Sequence, residues 1–173
     1  FSGGTFAKIW YPNSSGSFLD LLADGYAFYD NDGKLVNAAE ITGRYLYNVH
    51  IGTHAHSFTG GACACGYTCP HTSVDESGAC TVCNKRFAAS ITKGDDVAYY
   101  DRFTDALVYA TRNDGCTLKL LADVTGTAVM INNPFLFDLN GHNVYALSVD
   151  ARATIKDSGT TKGRIGKVTV SDT

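Results

Sequence analysis

The segment His54 to Cys83, HAHSFTGGACACGYTCPHTSVDESGACTVC, holds five of the chain's six cysteines and three of its five histidines. Thiolate and imidazole are the donors from which tetrahedral zinc sites are built. Here they fall into two similar halves. The first reads His54-x-His56, six residues, then Cys63-x-Cys65; the second reads Cys69-x-His71, eight residues, then Cys80-x-x-Cys83. Both halves contain the same Gly-Ala-Cys run, at Gly61-Ala62-Cys63 and Gly78-Ala79-Cys80. This self-similarity predicts two tandem sites. Site 1 takes His54, His56, Cys63 and Cys65, and site 2 takes Cys69, His71, Cys80 and Cys83. A Cys-x-x-Cys turn presents two thiolates to one side of an ion, and a short hairpin carries the other pair back to the opposite side. The first half departs from this pattern, with Cys-x-Cys and an all-histidine first pair. Partitions in which Cys65 and Cys69 share a metal, or His54 is left out, stay open.

Two other chemistries compete. Six cysteines could form a disulfide framework, but Cys63 and Cys65 are too close to bond easily, and disulfides leave the interleaved histidines without a role. A catalytic zinc keeps one coordination position for water. Four protein ligands leave none, so the expected role is structural. Cys116 lies far from the cluster and reads as a buried free thiol.

The rest of the chain must position these groups. Its 173 residues suffice for one large or two small domains, and the formal charge is −3. The one basic pair, Lys85-Arg86, argues against a nucleic-acid partner. No apolar stretch reaches the ~20 residues of a membrane span. With no signal peptide or initiator methionine, and with Phe1 already in strand-like sequence, we expect part of a longer modular chain.

Phe1 to Pro12 reads as turn and strand. Ser17 to Gly25 reads as a short helix, with Ser17 as N-cap and Asp20 three residues on. Tyr26 to Val36 reads as a hairpin turning at Asn31-Asp32-Gly33. In Arg44 to Ile51, alternation groups Tyr45, Tyr47 and Val49 against Leu46 and Asn48. Tyr67 and Phe87 are placed to cover the metal sites. Phe103, Ala106, Leu107 and Ala110 give Tyr100 to Ala110 a helical period, with Asp101 as N-cap. From Thr117 on, short apolar or alternating runs recur between Gly, Asn and Asp: LKLLADV, AVMI, FLFDLNGHNV, LSVDARATIKDS and IGKVTVSD. Such spacing without helices indicates a solenoid of stacked rungs or a sandwich.

Two stretches carry a resemblance. TLKLLADVTGTAVMINNPFLFDLNGHNV (Thr117 to Val144) with ATIKDS (Ala153 to Ser158) resembles the opening rungs of right-handed parallel β-helix domains in large surface proteins of gut Firmicutes. SGGTF and DLLADGYAFYDNDGKLV (Ser2 to Val36) look like the far end of such a module, a final rung with a helix-hairpin cap. The stretch with Cys-Gly-Tyr and Cys-Pro-His is similar to the cysteine-rich connectors between these parts. The resemblance implies a mainly β fold: parallel β-helix-type rungs, short capping helices and a zinc-knuckle insert. It divides the chain into an end rung and cap (1–52), a tandem zinc connector (53–90) and a helix cap with first rungs (91–173). It also implies an extracellular location, on a bacterial cell surface or in the cell wall.

For function, catalysis needs convergent groups. A glycosidase or lyase would need paired carboxyls in one cleft, and the candidates Asp138, Asp150 and Asp157 sit in turn sequences, where Asp bonds its own backbone. His142 follows the same turn as Asp138. No nucleophile or phosphate-loop signature occurs. We therefore expect no enzyme, but a binding or adhesion module with two structural zinc ions. Its aromatic anchors would come from Tyr26, Phe28, Tyr29, Tyr45 and Tyr47. The resemblance suggests a host protein as partner, either immunoglobulin bound in the manner of a superantigen or a mucin-like glycoprotein. A carbohydrate-active module and a plain spacer are the alternatives.

Overall fold

The computed structural model describes residues 1–11, 17–41, 43–149 and 153–170. The chain is mainly β and divides into two compact units. One comprises Phe1–Ser73 with Val82–Asn84, and the other Val74–Thr81 with Lys85–Thr173.

The first unit is built on strands β1 (Gly4–Trp10), β2 (Tyr26–Asp30) and β3 (Tyr45–Thr53), in the order β1-β3-β2. Both pairings are antiparallel, so the stretch expected as a final rung belongs instead to an antiparallel sheet. Ile9, Phe18, Phe28, Val49 and Ile51 form its core. The expected helix from Ser17 is one 3-10 turn, Phe18–Leu21. The capping box is present: Leu19 N donates to Ser17 Oγ (3.2 Å) and Ser17 N to Asp20 Oδ2 (2.8 Å). The turn does not propagate because Leu22 is extended and Ala23 N donates to the carbonyl of Phe1 at 2.8 Å. One turn alone cannot repay helix nucleation.

The hairpin after β2 is held by Asp30, whose Oδ1 accepts from Asp32 N (3.0 Å) and Lys34 N (2.9 Å). Its return arm is a single bridge, Tyr29 to Leu35, and the main partner of β2 is β3. In β3 the expected grouping fails at Asn48. That residue has φ 53°, and the strand exposes Tyr45 and Tyr47 but buries Val49 and Ile51. A left-handed residue interrupts the two-residue period and turns the next side chains to the opposite face.

Two short strands, β4 (Phe58–Thr59) and β5 (Ala62–Cys63), form a hairpin. Its central residues Gly60 (φ 63°) and Gly61 (φ 90°) supply the positive φ values that a two-residue turn requires.

The second unit opens with a hairpin of β6 (Ala89–Lys93) and β7 (Asp96–Tyr100), which the sequence pattern did not reveal. The helix α1 is Phe103–Ala110, shorter than the expected Tyr100 to Ala110, because Tyr100 pairs with Ala89 in β7. Asp101 is not its cap. Arg102 holds that position and pairs with Asp105, while Asp101 pairs with Lys85 at 3.1 Å. Ala106 and Ala110 are buried against the sheet, with Phe103 and Leu107 beside them.

Six strands follow: β8 (Thr117–Leu120), β9 (Val124–Ile131), β10 (Leu136–Asp138), β11 (Val144–Val149), β12 (Thr154–Lys156) and β13 (Val168–Val170). They alternate between two parallel ladders, β8-β10-β12 and β9-β11-β13. The antiparallel pair β6-β8 joins the opening hairpin to the first ladder. Leu118, Leu120 and Phe137 from one ladder, and Val129, Ile131, Val144 and Leu147 from the other, share one core.

Carboxylates hold the corners between these strands. Asp138 is only 2% exposed. Its Oδ1 accepts from Asn140 N (3.0 Å) and Ser158 N (2.9 Å), and its Oδ2 from Ser158 Oγ (2.7 Å). Asp157 accepts from the amides of Gly141 (2.7 Å), Gly159 (3.2 Å) and Gly163 (2.8 Å). Asp123 accepts from Asn143 N at 2.8 Å. Burial pushes Asp138 and Asp157 up, but these hydrogen bonds outweigh it and hold both carboxyls below their usual range; those from Asn143 do the same for Asp123.

Replacing Asp138 by Ala leaves the part-buried amides of Asn140 and Ser158 without this acceptor and is expected to cost about 2 kcal/mol, read as a lower urea midpoint. Because these folded-state pKa values are depressed, the stability they supply is complete above the unfolded carboxyl value near pH ~4. It is lost as pH falls through the folded values. The urea midpoint should therefore drop as pH is lowered from 5 toward 2, and less steeply in Asp138→Asn. A midpoint flat across that interval would contradict this account.

Candidate metal centres

The structure brings the His/Cys residues into two groups. His54, His56, Cys63 and Cys65 form one, and Cys69, His71, Cys80 and Cys83 the other; within each, the donor atoms lie within 4.8 Å of one another. Each could hold a metal ion. All five thiols are buried and none of the chain's cysteines is in a disulfide. The partition in which Cys65 and Cys69 share an ion is not the one the geometry forms.

Centre 1 is positioned by β3, β5 and the far face of β2. His54 and His56 follow directly on β3, and Cys63 ends the β4–β5 hairpin. A tight turn then presents Cys65, with Gly66 N donating to Cys63 O (2.8 Å) and Cys63 N to Tyr67 O (2.9 Å). Gly66 has φ 92°, and a Cβ there would lie 2.3 Å from Leu19 Cδ1; glycine is required on both counts. His54 Nε2 is 3.2 Å from Cys63 Sγ, and His56 Nδ1 is 3.3 Å from Cys65 Sγ. The two histidines thus present opposite ring nitrogens. Tyr67 covers the centre as expected, its ring stacked on His56 at 4.2 Å and 11°. Ala27, Tyr29, Leu35 and Phe58 complete the surround.

The two thiols of this centre differ. Burial pushes Cys63 up, but the Cys65 backbone amide and the close His54 ring bring it to about 7. Burial raises Cys65, and the neighbouring Cys63 raises it further. Two adjacent thiolates repel one another, and a cation between them relieves the conflict.

Centre 2 uses the same chemistry with three thiols. His71, at φ 51°, places Nδ1 3.4 Å from Cys83 Sγ. The turn after Cys80 closes with Cys80 N donating to Lys85 O at 2.8 Å, and Asn84 takes φ 58°. Before Cys80, Asp75 Oδ1 accepts from Ser77 N (2.9 Å) and Ala79 N (3.0 Å), repeating the turn that Asp30 builds. Phe87 is buried and in ring contact with Tyr99.

The aromatic residues expected as anchors separate. Phe28 is 2% exposed and belongs to the core, so it has no surface for a partner. Tyr26 packs against the same core, and Tyr29 faces centre 1. Tyr45 and Tyr47 are exposed. Cross-strand pairs place Trp10 beside Tyr45 and Lys8 beside Tyr47, and Lys8 Nζ lies 4.0 Å from the Tyr45 ring centroid. Trp10 is 56% exposed. Trp10 is not among the anchors expected from the sequence; the missing signal was the pairing of β1 with β3.

Of the carboxylates weighed for catalysis, Asp138 and Asp157 spend their acceptors on backbone amides, and Asp150 lies outside the described residues. His142 Nδ1 is 3.3 Å from Asp123 Oδ1. Cys116 is buried in the second core and its thiol donates to Asn113 O at 3.2 Å. No helix among the described residues is long and apolar enough to cross a membrane. No family model, curated protein or solved structure matches the chain.

If the grouping is correct, Co2+ titration will give two equivalents with thiolate-to-metal charge-transfer absorbance. Cys63→Ser and Cys80→Ser should each remove one equivalent and leave the other. Loss of both equivalents from either single change would contradict separate centres.

Proposed function

We propose that this chain is a non-catalytic binding module of a bacterial cell-surface protein, held together by two structural zinc ions and recognising a host protein. The observation that carries the binding role is the exposed aromatic face of Lys8, Trp10, Tyr45 and Tyr47. Trp and Tyr combine large apolar area with a polar edge and dominate the energetics of protein interfaces. Clustered exposed aromatics mark interaction surfaces more often than isolated ones.

Zinc is the ion these donors suit. Tetrahedral Zn–S bonds of about 2.3 Å and Zn–N bonds of about 2.0–2.1 Å separate sulfur from nitrogen by about 3.5 Å. The three S···N distances, 3.2, 3.3 and 3.4 Å, lie close to that span. Four protein donors per centre leave no position for a reacting water, which favours a structural ion. The alternation of β8 to β13 between two parallel ladders supports a β-helix-type scaffold. Immunoglobulin and mucin-like glycoproteins are the host partners to test first.

The test is surface-immobilised immunoglobulin and mucin against the chain and its Trp10→Ala and Tyr47→Ala variants. A host protein should bind, and each variant should weaken binding by 2 kcal/mol or more, about 30-fold. Binding that survives both changes moves the interface elsewhere. No binding to any host protein or glycan leaves a spacer and ends this reading.

A further inference from the structure

We propose that Tyr29 is the positioning residue of centre 1: it fixes the ring tautomer with which His54 meets the metal. The inference rests on reading that centre as a zinc site. A neutral imidazole has one lone pair for a metal and one N–H for another partner, and the partner of the N–H decides which nitrogen coordinates. His54 turns Nε2 toward Cys63, and its Nδ1 lies 3.0 Å from Tyr29 Oη. The tyrosine hydroxyl donates its own proton to Thr53 O at 3.1 Å. The protons then have one consistent arrangement. His54 Nδ1–H donates to Tyr29 Oη, Tyr29 O–H donates to the Thr53 carbonyl, and the Nε2 lone pair is left for the ion. The opposite tautomer would place a proton on Nε2, where the ion must sit.

The fold holds Tyr29 in place for this task. It lies in β2, paired with His50 in β3, and its ring stacks on His50 at 5.4 Å and 19°. Gly52 leaves the space the ring occupies, since a Cβ there would be 3.3 Å from Tyr29 Cε2. His56 has no equivalent. Its Nε2 is buried without a hydrogen-bond partner, and the nearest carboxylate oxygen, Asp24 Oδ1, is 3.8 Å away. His54 is thus the histidine whose orientation is built in.

Tyr29→Phe removes the hydroxyl and keeps the ring, its stacking and its volume. Chelator competition should show zinc affinity of centre 1 reduced about 10–100-fold, with centre 2 unchanged. Long-range 1H–15N NMR of the zinc-loaded protein should show His54 coordinated through Nε2, with a slowly exchanging Nδ1 proton that exchanges fast in Tyr29→Phe. Unchanged affinity together with an unchanged His54 spectrum, or coordination through Nδ1, overturns the proposal. A separate outcome strikes the reading beneath it: if His54→Ala still binds two zinc ions at full affinity, His54 is no ligand and both fall.

Discussion

Strand β2 is covered on both faces, and the first unit depends on that constraint. Phe28 points into the apolar core with Val49 and Ile51. Ala27 and Tyr29, one residue to either side, point to the His/Cys group with Cys63 and Cys65. A five-residue strand thereby serves two interiors, one closed by hydrophobic burial and one by polar donors that demand a counter-charge. Burying thiols and imidazoles together is unfavourable unless something satisfies them. A divalent ion does so while converting ligand binding into folding free energy. The loop from His54 to Tyr67 has little apolar core of its own, and an ion bound there would substitute for one.

The parallel ladders of the second unit meet a similar demand with side chains. Their short strands leave backbone amides at the corners, and side-chain carboxylates and amides accept from several of them. Asp138 serves Asn140 and Ser158, and Asp157 serves Gly141, Gly159 and Gly163. Asn140 Nδ2 reaches back to Leu120 O at 2.9 Å, linking successive turns of the chain. These acids are held ionised, whereas a general acid needs a raised pKa. Their sequence context, Asp-Leu-Asn-Gly and Lys-Asp-Ser-Gly, reflects this backbone duty.

Local chemistry was legible in the sequence, and long-range geometry was less so. The eight ligand candidates could be read from spacing alone, because each pair is brought together by a turn of a few residues. The Ser17–Asp20 capping box and the buried stripe of α1 were readable for the same reason. The β6–β7 hairpin was not, since Asp96 to Tyr100 alternates weakly and Tyr100 fits the helical period that follows. The facing of β3 was misjudged because one left-handed residue, Asn48, reverses the alternation, and Asn in a strand does not announce its φ. Phe28, expected as an anchor, is buried for a related reason. Which face of a strand is buried follows from its partner, and β1 and β2 both pair with β3 across many residues of intervening chain.

The central claim is that both centres are closed four-donor zinc sites. Zinc K-edge X-ray absorption on the protein as purified tests it most directly. Centre 1 offers two sulfurs and two nitrogens, and centre 2 three sulfurs and one nitrogen. With both filled, the mean coordination is 2.5 sulfurs at about 2.3 Å and 1.5 nitrogens at about 2.0–2.1 Å per ion. An oxygen ligand from water, a sulfur count near two or three with half the zinc, or no zinc and oxidised thiols would contradict the account.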